Sequence, residues 1–315
     1  MKALYRTRFG TQYVGDSSCI ENTRLFNKLE GKCNLIFTSP PFPLNKKKAY
    51  GNLKGEKYLE WLEGYGKLFK KLLAPDGSLV IELGNAWIKG SPTMSLFPLQ
   101  SLIKLKEAGE FHLCQEFIWY NTTRLPSPAQ WVNIERIRVK DSFTRLWWLS
   151  STPRPKADNR NVLVEYSDAM KKLLERQSYN SGVRPSEHNI GETSFLKNNN
   201  GAISPNVLTI ANTSSSDPYL EFCKKNKIKY HPARMPYQLA EFFIKFLTDP
   251  KDIVVDPFSG SNVTGYVAEI LGRKWRSIEK EPIYAYSSKS RFEKSWFVRK
   301  KDQKWIEEHH ESKNI

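Results

Sequence analysis

The 315-residue chain has no apolar run close to the roughly 20 residues that a membrane-spanning helix needs. Its first residues, MKALYRTRFG, contain no hydrophobic core of a secretion signal. Both absences predict a cytoplasmic protein. Cysteine is scarce as well, and Cys19, Cys33, Cys114 and Cys223 form no CxxC pair. Their scatter argues against a disulfide framework and a zinc site, so we expect no bound metal.

Acidic residues are in the minority. The chain has 49 Lys and Arg against 33 Asp and Glu, a formal net charge of +16. Such a surplus favours a polyanionic partner, because Lys and Arg displace the counterions that surround phosphates. Segment 45–57, NKKKAYGNLKGEK, places Lys46, Lys47 and Lys48 beside an aromatic residue. It is a candidate DNA-contacting loop, although a solvated surface loop has the same composition.

Hydrophobic periodicity predicts alternating strands and helices. Strands are predicted at 34–38, 78–83, 112–121, 143–151, 252–256 and 275–279, and segment 10–18 is predicted as a strand that ends in an acidic turn at Asp16. Helices are predicted at 56–73, 95–108, 165–176, 236–248 and 261–272. This alternation is typical of an α/β fold with a mostly parallel sheet and helices on both faces. A polar stretch, 152–230, interrupts the pattern and separates two halves of one sheet domain, 1–151 and 231–315.

Residues 37–44, FTSPPFPL, place a serine, two prolines and an aromatic ring directly after a buried strand. Pro40 and Pro41 cannot donate backbone hydrogen bonds, and each fixes φ near about −65°. The chain must therefore leave the sheet in a stiff turn. Such a turn either ends the strand and nothing more, or holds Ser39 and Phe42 rigidly for chemistry.

Residues 252–270, DIVVDPFSGSNVTGYVAEI, form a predicted strand, Gly/Ser turn and helix. Such a turn brings backbone N–H groups to a ligand at the carboxyl end of a parallel strand. The turn lacks GxGxxG and a Walker lysine, which argues against a dinucleotide or a nucleoside triphosphate. Asp256 at the strand end suits a cationic ligand group, and Glu279 at the end of the next strand suits ribose hydroxyls. S-adenosylmethionine carries both groups, although a helix-capping role for Asp256 fits the same residues.

TSPPF followed much later by DPFSGS resembles the β-class DNA amino-methyltransferases. Serine in the first motif is similar to the cytosine-N4 branch of the type II restriction–modification enzymes. FIWYNTTRLPSP, VRPSEHNIGETSF and YHPARMPYQLAEFFI extend the resemblance over roughly residues 10–290. It implies a circularly permuted, Rossmann-like, S-adenosylmethionine-dependent methyltransferase sheet with 152–230 as an inserted target-recognition region. It also implies double-stranded DNA as substrate and a cognate restriction endonuclease as a genetic rather than physical partner.

The resemblance implies roles for individual residues. Ser39 and the Pro40 carbonyl would accept hydrogen bonds from the amine of an extruded cytosine, in a turn that Pro41 stiffens, while Phe42 stacks on the base. Cofactor binding is implied for Asp16, Thr38, His231, Asp256, Phe258, Gly260, Ser261, Asn262 and Glu279. DNA contacts are implied for Arg184, Ser186 and His188.

The sequence departs from the family pattern near the cofactor loop. Asn262-Val263-Thr264 replaces the commoner Gly-Thr-Thr, and Met235 stands where a lysine is frequent.

Three alternatives share much of the evidence: an adenine-N6 methyltransferase of the same fold, an RNA methyltransferase, and a non-catalytic DNA-binding regulator. Methylation at carbon 5 of cytosine is disfavoured, because no cysteine follows a proline.

Overall fold

The computed structural model describes residues 1–42, 55–213 and 217–292. Lys46, Lys47 and Lys48 lie outside the described residues. The chain divides into two compact units: the first contains residues 1–157 and the described residues from 206 onward, and the second contains residues 158–205. No helix in the described ranges is long and apolar enough to cross a membrane.

Eleven strands are formed by the described residues. They are β1 (Lys2–Arg6), β2 (Gly10–Val14), β3 (Cys33–Thr38), β4 (Leu73–Leu83), β5 (His112–Tyr120), β6 (Phe143–Ser150), β7 (Gly182–Val183), β8 (Asn189–Ile190), β9 (Val207–Thr209), β10 (Ile253–Asp256) and β11 (Lys274–Glu279). The α-helices of the same ranges are α1 (Arg24–Leu29), α2 (Glu56–Leu72), α3 (Phe97–Ala108), α4 (Asp168–Arg176), α5 (Pro218–Lys225), α6 (Tyr237–Leu247), α7 (Val263–Ile270) and α8 (Pro282–Ser287).

The first unit contains a nine-stranded sheet in the order β1-β2-β11-β10-β3-β4-β6-β5-β9. The pairs β2–β11, β11–β10, β10–β3, β3–β4 and β5–β9 are parallel. The pairs β1–β2, β4–β6 and β6–β5 are antiparallel. The mostly parallel α/β sheet that the sequence predicts is therefore confirmed. Because β3 lies beside β10, the SPPF and DPFSGS turns leave the sheet at the same carboxyl edge.

The central strands are buried on both faces. Leu35, Ile36 and Phe37 of β3 have no exposed surface, because helices cover the sheet on each side. Ile36 belongs to the core that contains α2 and α3, whereas Leu35 and Phe37 belong to the core that contains α6 and α7. The buried side chains of α2 recur at the helical spacing that predicts it: Tyr58, Leu62, Tyr65, Phe69 and Leu72.

The predicted element boundaries need several corrections. Strand β2 ends at Val14, two residues before the predicted turn at Asp16, and Asp16 caps the short 3₁₀ turn Ser17–Asn22 that follows. Residues 74–77 form an irregular bulge within β4, because β3 pairs Cys33 with Leu73 and then Leu35 with Ser78. The elements β1, β7, β8, β9, α1 and α5 are not predicted from the sequence.

The polar segment 152–230 is divided between the two units. Residues 158–205 make the second unit, which contains α4 and the short hairpin of β7 and β8. From residue 206 the chain belongs to the first unit, where β9 pairs in parallel with β5. The compact inserted unit is therefore shorter than the polar segment 152–230 of the sequence.

Candidate active site

A cavity of about 730 Å³ lies at the carboxyl edge of the large sheet. Most of the residues predicted for catalysis and cofactor binding line it: Asp16, Ser39, Pro40, Pro41, Phe42, His231, Asp256, Phe258, Gly260, Ser261 and Glu279. Thr38 and Asn262, also predicted to bind the cofactor, have no exposed surface and do not belong to this lining. The strand order β10-β3 therefore unites two motifs that are far apart in the chain.

An acid on the neighbouring strand fixes the Ser39 side chain. The Ser39 hydroxyl donates a hydrogen bond to the carboxylate of Glu82 on β4. Glu82 is 7% exposed, and burial raises its pKa to about 7, although the Ser39 hydrogen bond and the charge of Arg124 both act to lower that pKa. Sequence analysis missed Glu82, whose signal is a single acid inside the apolar run SLVIEL. An acid that titrates near neutrality thus lies directly behind the serine.

The ring of Phe42 packs against a glycine that follows β4. A Cβ atom on Gly84 would lie 2.7 Å from Cε2 of Phe42, far inside van der Waals contact. Only glycine leaves this space free. The half-buried ring also packs on the hydrophobic core while it lines the cavity. Phe42 is therefore held in one place as an aromatic wall.

Asp256 at the end of β10 joins the two motifs. Its Oδ1 accepts hydrogen bonds from the Thr38 hydroxyl at 2.8 Å and from the Phe258 N–H at 3.1 Å. Its Oδ2 accepts from the Thr264 hydroxyl at 2.8 Å. Burial raises the pKa of Asp256 to about 6, against the lowering effect of these three donors. Thr38 thus acts on the cavity by orienting Asp256.

Glu279 at the end of β11 holds the cofactor loop. Its Oε2 accepts the Gly260 N–H and its Oε1 accepts the Glu281 N–H, both at 2.8 Å. Burial raises the pKa of Glu279 to about 7. Gly260 has φ +49°, and a Cβ there would lie 3.1 Å from the His231 ring. The His231 ring, whose Nδ1 is 2.6 Å from the Ala233 carbonyl, therefore packs on the loop backbone.

Asn262 caps the helix that follows the loop. It adopts the left-handed conformation at φ +55°, and its Oδ1 accepts the Gly265 N–H at 3.1 Å. The same oxygen accepts the Ser277 hydroxyl at 2.7 Å, and Nδ2 donates to the Tyr5 hydroxyl at 3.0 Å. The side chain that departs from the family pattern is thus a structural part of the loop.

Arg291 supports the loop from behind. Its Nε donates to the Ser261 carbonyl at 2.6 Å and its NH2 to the Ser261 hydroxyl at 3.1 Å. Its NH1 forms an ion pair with Asp217 Oδ1 at 2.7 Å, and Asp217 also pairs with Arg234 at 3.4 Å. Sequence analysis missed this buried network, which fixes the position of Ser261.

Opposite the loop that Glu279 holds, the cofactor region is bounded by the turn at Asp16 and by a group of three aromatic rings. Asp16 caps the 3₁₀ turn that follows β2 by accepting the Ser18 N–H at 3.0 Å, and it pairs with Lys280 at 2.8 Å. Burial acts to raise the pKa of Asp16, but Lys280 and Ser18 lower it on balance. The aromatic wall is made by three contacting rings that line the cavity: Trp61, Tyr65 and Phe258.

The DNA contacts predicted in the polar segment lie together in the second unit. Arg184, Ser186 and His188 occupy the connection between β7 and β8. Arg184 is half-buried, and Ser186 and His188 are exposed. The Arg184 N–H donates to the His188 carbonyl at 2.9 Å, and His188 Nδ1 is 3.0 Å from the Ser186 carbonyl. The three residues therefore form one compact hairpin tip.

Two features define the class of protein. Buried acids at the ends of β10 and β11 flank a glycine-containing loop that leads into a helix, the arrangement of a nucleoside-type cofactor site at a parallel strand edge. The rigid SPPF turn lies in the same cavity. Together they define a Rossmann-like group-transfer enzyme of the methyltransferase type.

Comparison with known proteins supports the same class. The DNA methylase family model matches residues 33–290. The type II methyltransferase M.PvuII of Proteus hauseri is 46% identical over 293 residues, covering 92% of this chain and 86% of the relative. The solved PvuII DNA methyltransferase, titled cytosine-N4-specific, has a TM-score of 0.74 and 38% identity, covering 98% of this chain and 94% of that chain. The M1.HpyAVI–SAM complex shares the fold at a TM-score of 0.50 and 22% identity, over 90% of this chain and 98% of that chain.

The chain therefore belongs to the DNA methylase family. The predicted family, the methyltransferase fold and the enzymatic class are confirmed. The protein is a DNA methyltransferase.

Proposed function

We propose that this enzyme methylates the exocyclic N4 of a cytosine extruded from duplex DNA, at a specific sequence. The pairing of Ser39 with buried Glu82 beside the cofactor loop is the observation that carries the proposal. The relative M.PvuII, a type II methyltransferase, and the solved PvuII enzyme, which is cytosine-N4-specific, support it. Extrusion is required because the amine is otherwise paired inside the duplex.

Ser39 and Pro40 orient the amine. The nitrogen lone pair of cytosine N4 is delocalised into the ring, so the amine must pyramidalise before it can attack. Because the Ser39 hydroxyl proton is directed to Glu82, its lone pairs are free to accept one amine N–H. The Pro40 carbonyl accepts the other, and the stiff Pro40-Pro41 turn holds both acceptors in place before the base arrives.

Methyl transfer is a direct displacement. S-adenosylmethionine supplies an electrophilic methyl group on a sulfonium. The bond from N4 to the methyl carbon forms as the carbon–sulfur bond breaks, and the electron pair of that bond goes to sulfur. The surplus amine proton passes to Ser39 Oγ while the Ser39 proton passes to Glu82, whose pKa of about 7 suits a proton acceptor near neutrality.

The cofactor residues divide into contacts and supports. Asp256, Phe258, Gly260 and Ser261 are placed to bind the methionine portion, and Glu279 suits the ribose, because they line the cavity at the ends of β10 and β11. Lining residues Asp16 and His231 would close the pocket at either side. Thr38 and Asn262 would act through Asp256 and through the helix cap.

Site selection is assigned to the inserted segment. We take 152–230 as the target-recognition region between catalytic half 1–151 and cofactor half 231–315, with its hairpin residues Arg184, Ser186 and His188 at the DNA. Lys46, Lys47 and Lys48 would contact phosphates. Modification would take place in the cytoplasm and protect host DNA from a cognate restriction endonuclease that needs no physical contact with this chain.

The test is identification of the methylated base and its site. DNA incubated with enzyme and S-adenosylmethionine, then digested to nucleosides for mass spectrometry, is expected to contain N4-methylcytosine. N6-methyladenine in its place would assign the chain to the adenine branch of the family. Single-molecule sequencing of DNA from an expressing host then gives the recognition sequence, and a Ser39→Ala variant gives the matched inactive control.

A further inference from the structure

Arg124 lines the cavity, and no contact with the extruded base is assigned to it above. It lies in the segment that joins β5 to β6, and its NH1 donates to the Phe143 carbonyl at 2.9 Å and to the Thr144 hydroxyl at 3.4 Å. Its Nε and NH2 have no hydrogen-bond partner within the described ranges. Arg124 shares the cavity with Ser39, and its charge acts on Glu82. An anchored guanidinium thus keeps free donors at the wall of the base-binding space.

The order of strands places this donor across from the amine acceptors. Along the edge, β3 leads to Ser39, β4 carries Glu82, and β6 carries Thr144, which anchors Arg124. Glu82 pairs with Leu146, two residues from Thr144, so Glu82 and Thr144 project from the same face. From β3 to β6 is two strand spacings, about 10 Å. This span suits a pyrimidine with a hydrogen bond at each end of its edge.

The base-pairing edge of cytosine has donors and acceptors in an order that complements the amine acceptors at Ser39 and the donors of Arg124. Its exocyclic amine is a donor, and the ring nitrogen N3 and the O2 carbonyl that follow it are acceptors. With the amine at Ser39, the acceptors N3 and O2 point toward the free donors of Arg124. Adenine also has an amine beside an acceptor nitrogen, but it has a C–H where cytosine has O2. A guanidinium that faces this position therefore favours cytosine over adenine.

We propose that Arg124 is a specificity-determining residue that donates hydrogen bonds to O2 and N3 of the extruded cytosine. The proposal rests on the proposed N4 function. Arginine suits the task because its planar fork can meet two neighbouring acceptors while NH1 stays bound to the protein, which a lysine ammonium cannot do. A good two-point contact of this kind discriminates bases by about 10- to 100-fold.

The experiment pairs enzyme variants with a base analogue. Duplex substrates carry, at the methylated position of the site found by sequencing, either cytosine or a 2-aminopyridine C-nucleotide, which keeps the amine and the ring nitrogen but lacks O2. Single-turnover rates and half-saturation concentrations are measured for wild type, Arg124→Gln and Arg124→Lys. Arg136→Gln removes an equal charge from the same segment at an exposed residue outside the cavity lining and is the matched control.

Wild type and Arg136→Gln are expected to prefer cytosine over the analogue by about 10- to 100-fold, and both Arg124 variants are expected to lose most of that preference. Cofactor binding and thermal melting of each variant establish that it is folded. An unchanged preference in folded Arg124 variants overturns the proposal, whether the rate is normal or falls equally on both substrates as for a phosphate contact. N6-methyladenine as the wild-type product is a separate result that refutes the N4 function.

Discussion

Replacing Glu82 by glutamine should make the enzyme more stable above neutral pH and less active. Burial raises the Glu82 pKa from an ordinary value of 4.5 to about 7. Since the folded-state pKa is the higher one, the contribution of this group to stability is full below the unfolded pKa and is lost as pH rises through the folded pKa. Glutamine has nearly the same shape and cannot ionise, so the variant does not lose this stability as the pH rises.

The size of the effect follows from the pKa shift. Each pKa unit corresponds to about 1.4 kcal/mol, so the raised pKa of Glu82 costs the folded state about 3 kcal/mol once the carboxyl is fully ionised. Part of this cost is already present in mildly acidic solution. Between about pH 5 and about pH 8, the free energy of unfolding of Glu82→Gln should therefore rise by about 2 kcal/mol relative to wild type.

Urea denaturation of the cofactor-free protein at several pH values measures this difference. Asp256 and Glu279 are present in both proteins, so the difference between the two curves isolates Glu82. Glu60→Gln, at an exposed acid on α2, is the matched control and should show no such trend. Single-turnover methylation is expected to fall about 100-fold or more in Glu82→Gln, because the amide cannot accept the proton. A stability difference that is constant with pH would refute the raised pKa, and full activity would refute the proton-acceptor role.

Two other substitutions test the walls of the cavity. Gly84→Ala places a Cβ against the Phe42 ring, which must move, so the methylation rate should fall about tenfold or more while the cofactor dissociation constant stays near wild type. Arg291→Lys keeps the charge near Asp217 but loses the two-point hold on Ser261, so S-adenosylmethionine should bind about tenfold more weakly in a calorimetric titration. A normal rate in Gly84→Ala, or unchanged cofactor affinity in Arg291→Lys, would contradict the corresponding role.

The two turns at the sheet edge could be predicted because each carries its signal within a few residues. SPPF follows a short apolar strand, and DPFSGS separates a strand from a helix. In both cases, adjacent residues indicate the local structure and the chemistry. Helix α2 was equally readable, since its aromatic residues repeat at the helical period. The parallel pairing of β3 with β10 then brings Asp256 beside Thr38, which no local pattern shows.

Glu82, Arg124 and Arg291 could not be predicted because their roles depend on which strands and loops become neighbours. A lone acid in an apolar strand looks the same whether it faces a cavity or solvent. Arg124 reaches the site only because β6 runs antiparallel to β4, and buried strands of either direction have the same composition. Asn262 lies in the predicted cofactor loop, but its role as the cap of α7 depends on the folded position of Gly265 and Ser277 and has no local signal.

The strand order also has a consequence for biosynthesis. The middle of the sheet is completed by β10 and β11, which separate β2 from β3 and are translated more than two hundred residues after them. At about 5–20 residues per second, β3 waits about 10–45 seconds for its neighbour β10, while β4 is made soon after it. A nascent chain that lacks β10 and β11 also lacks Asp256 and Glu279, which line the cavity, so we expect it neither to bind the cofactor nor to methylate DNA. During that interval β3 exposes an unpaired apolar edge, where we expect chaperones to bind.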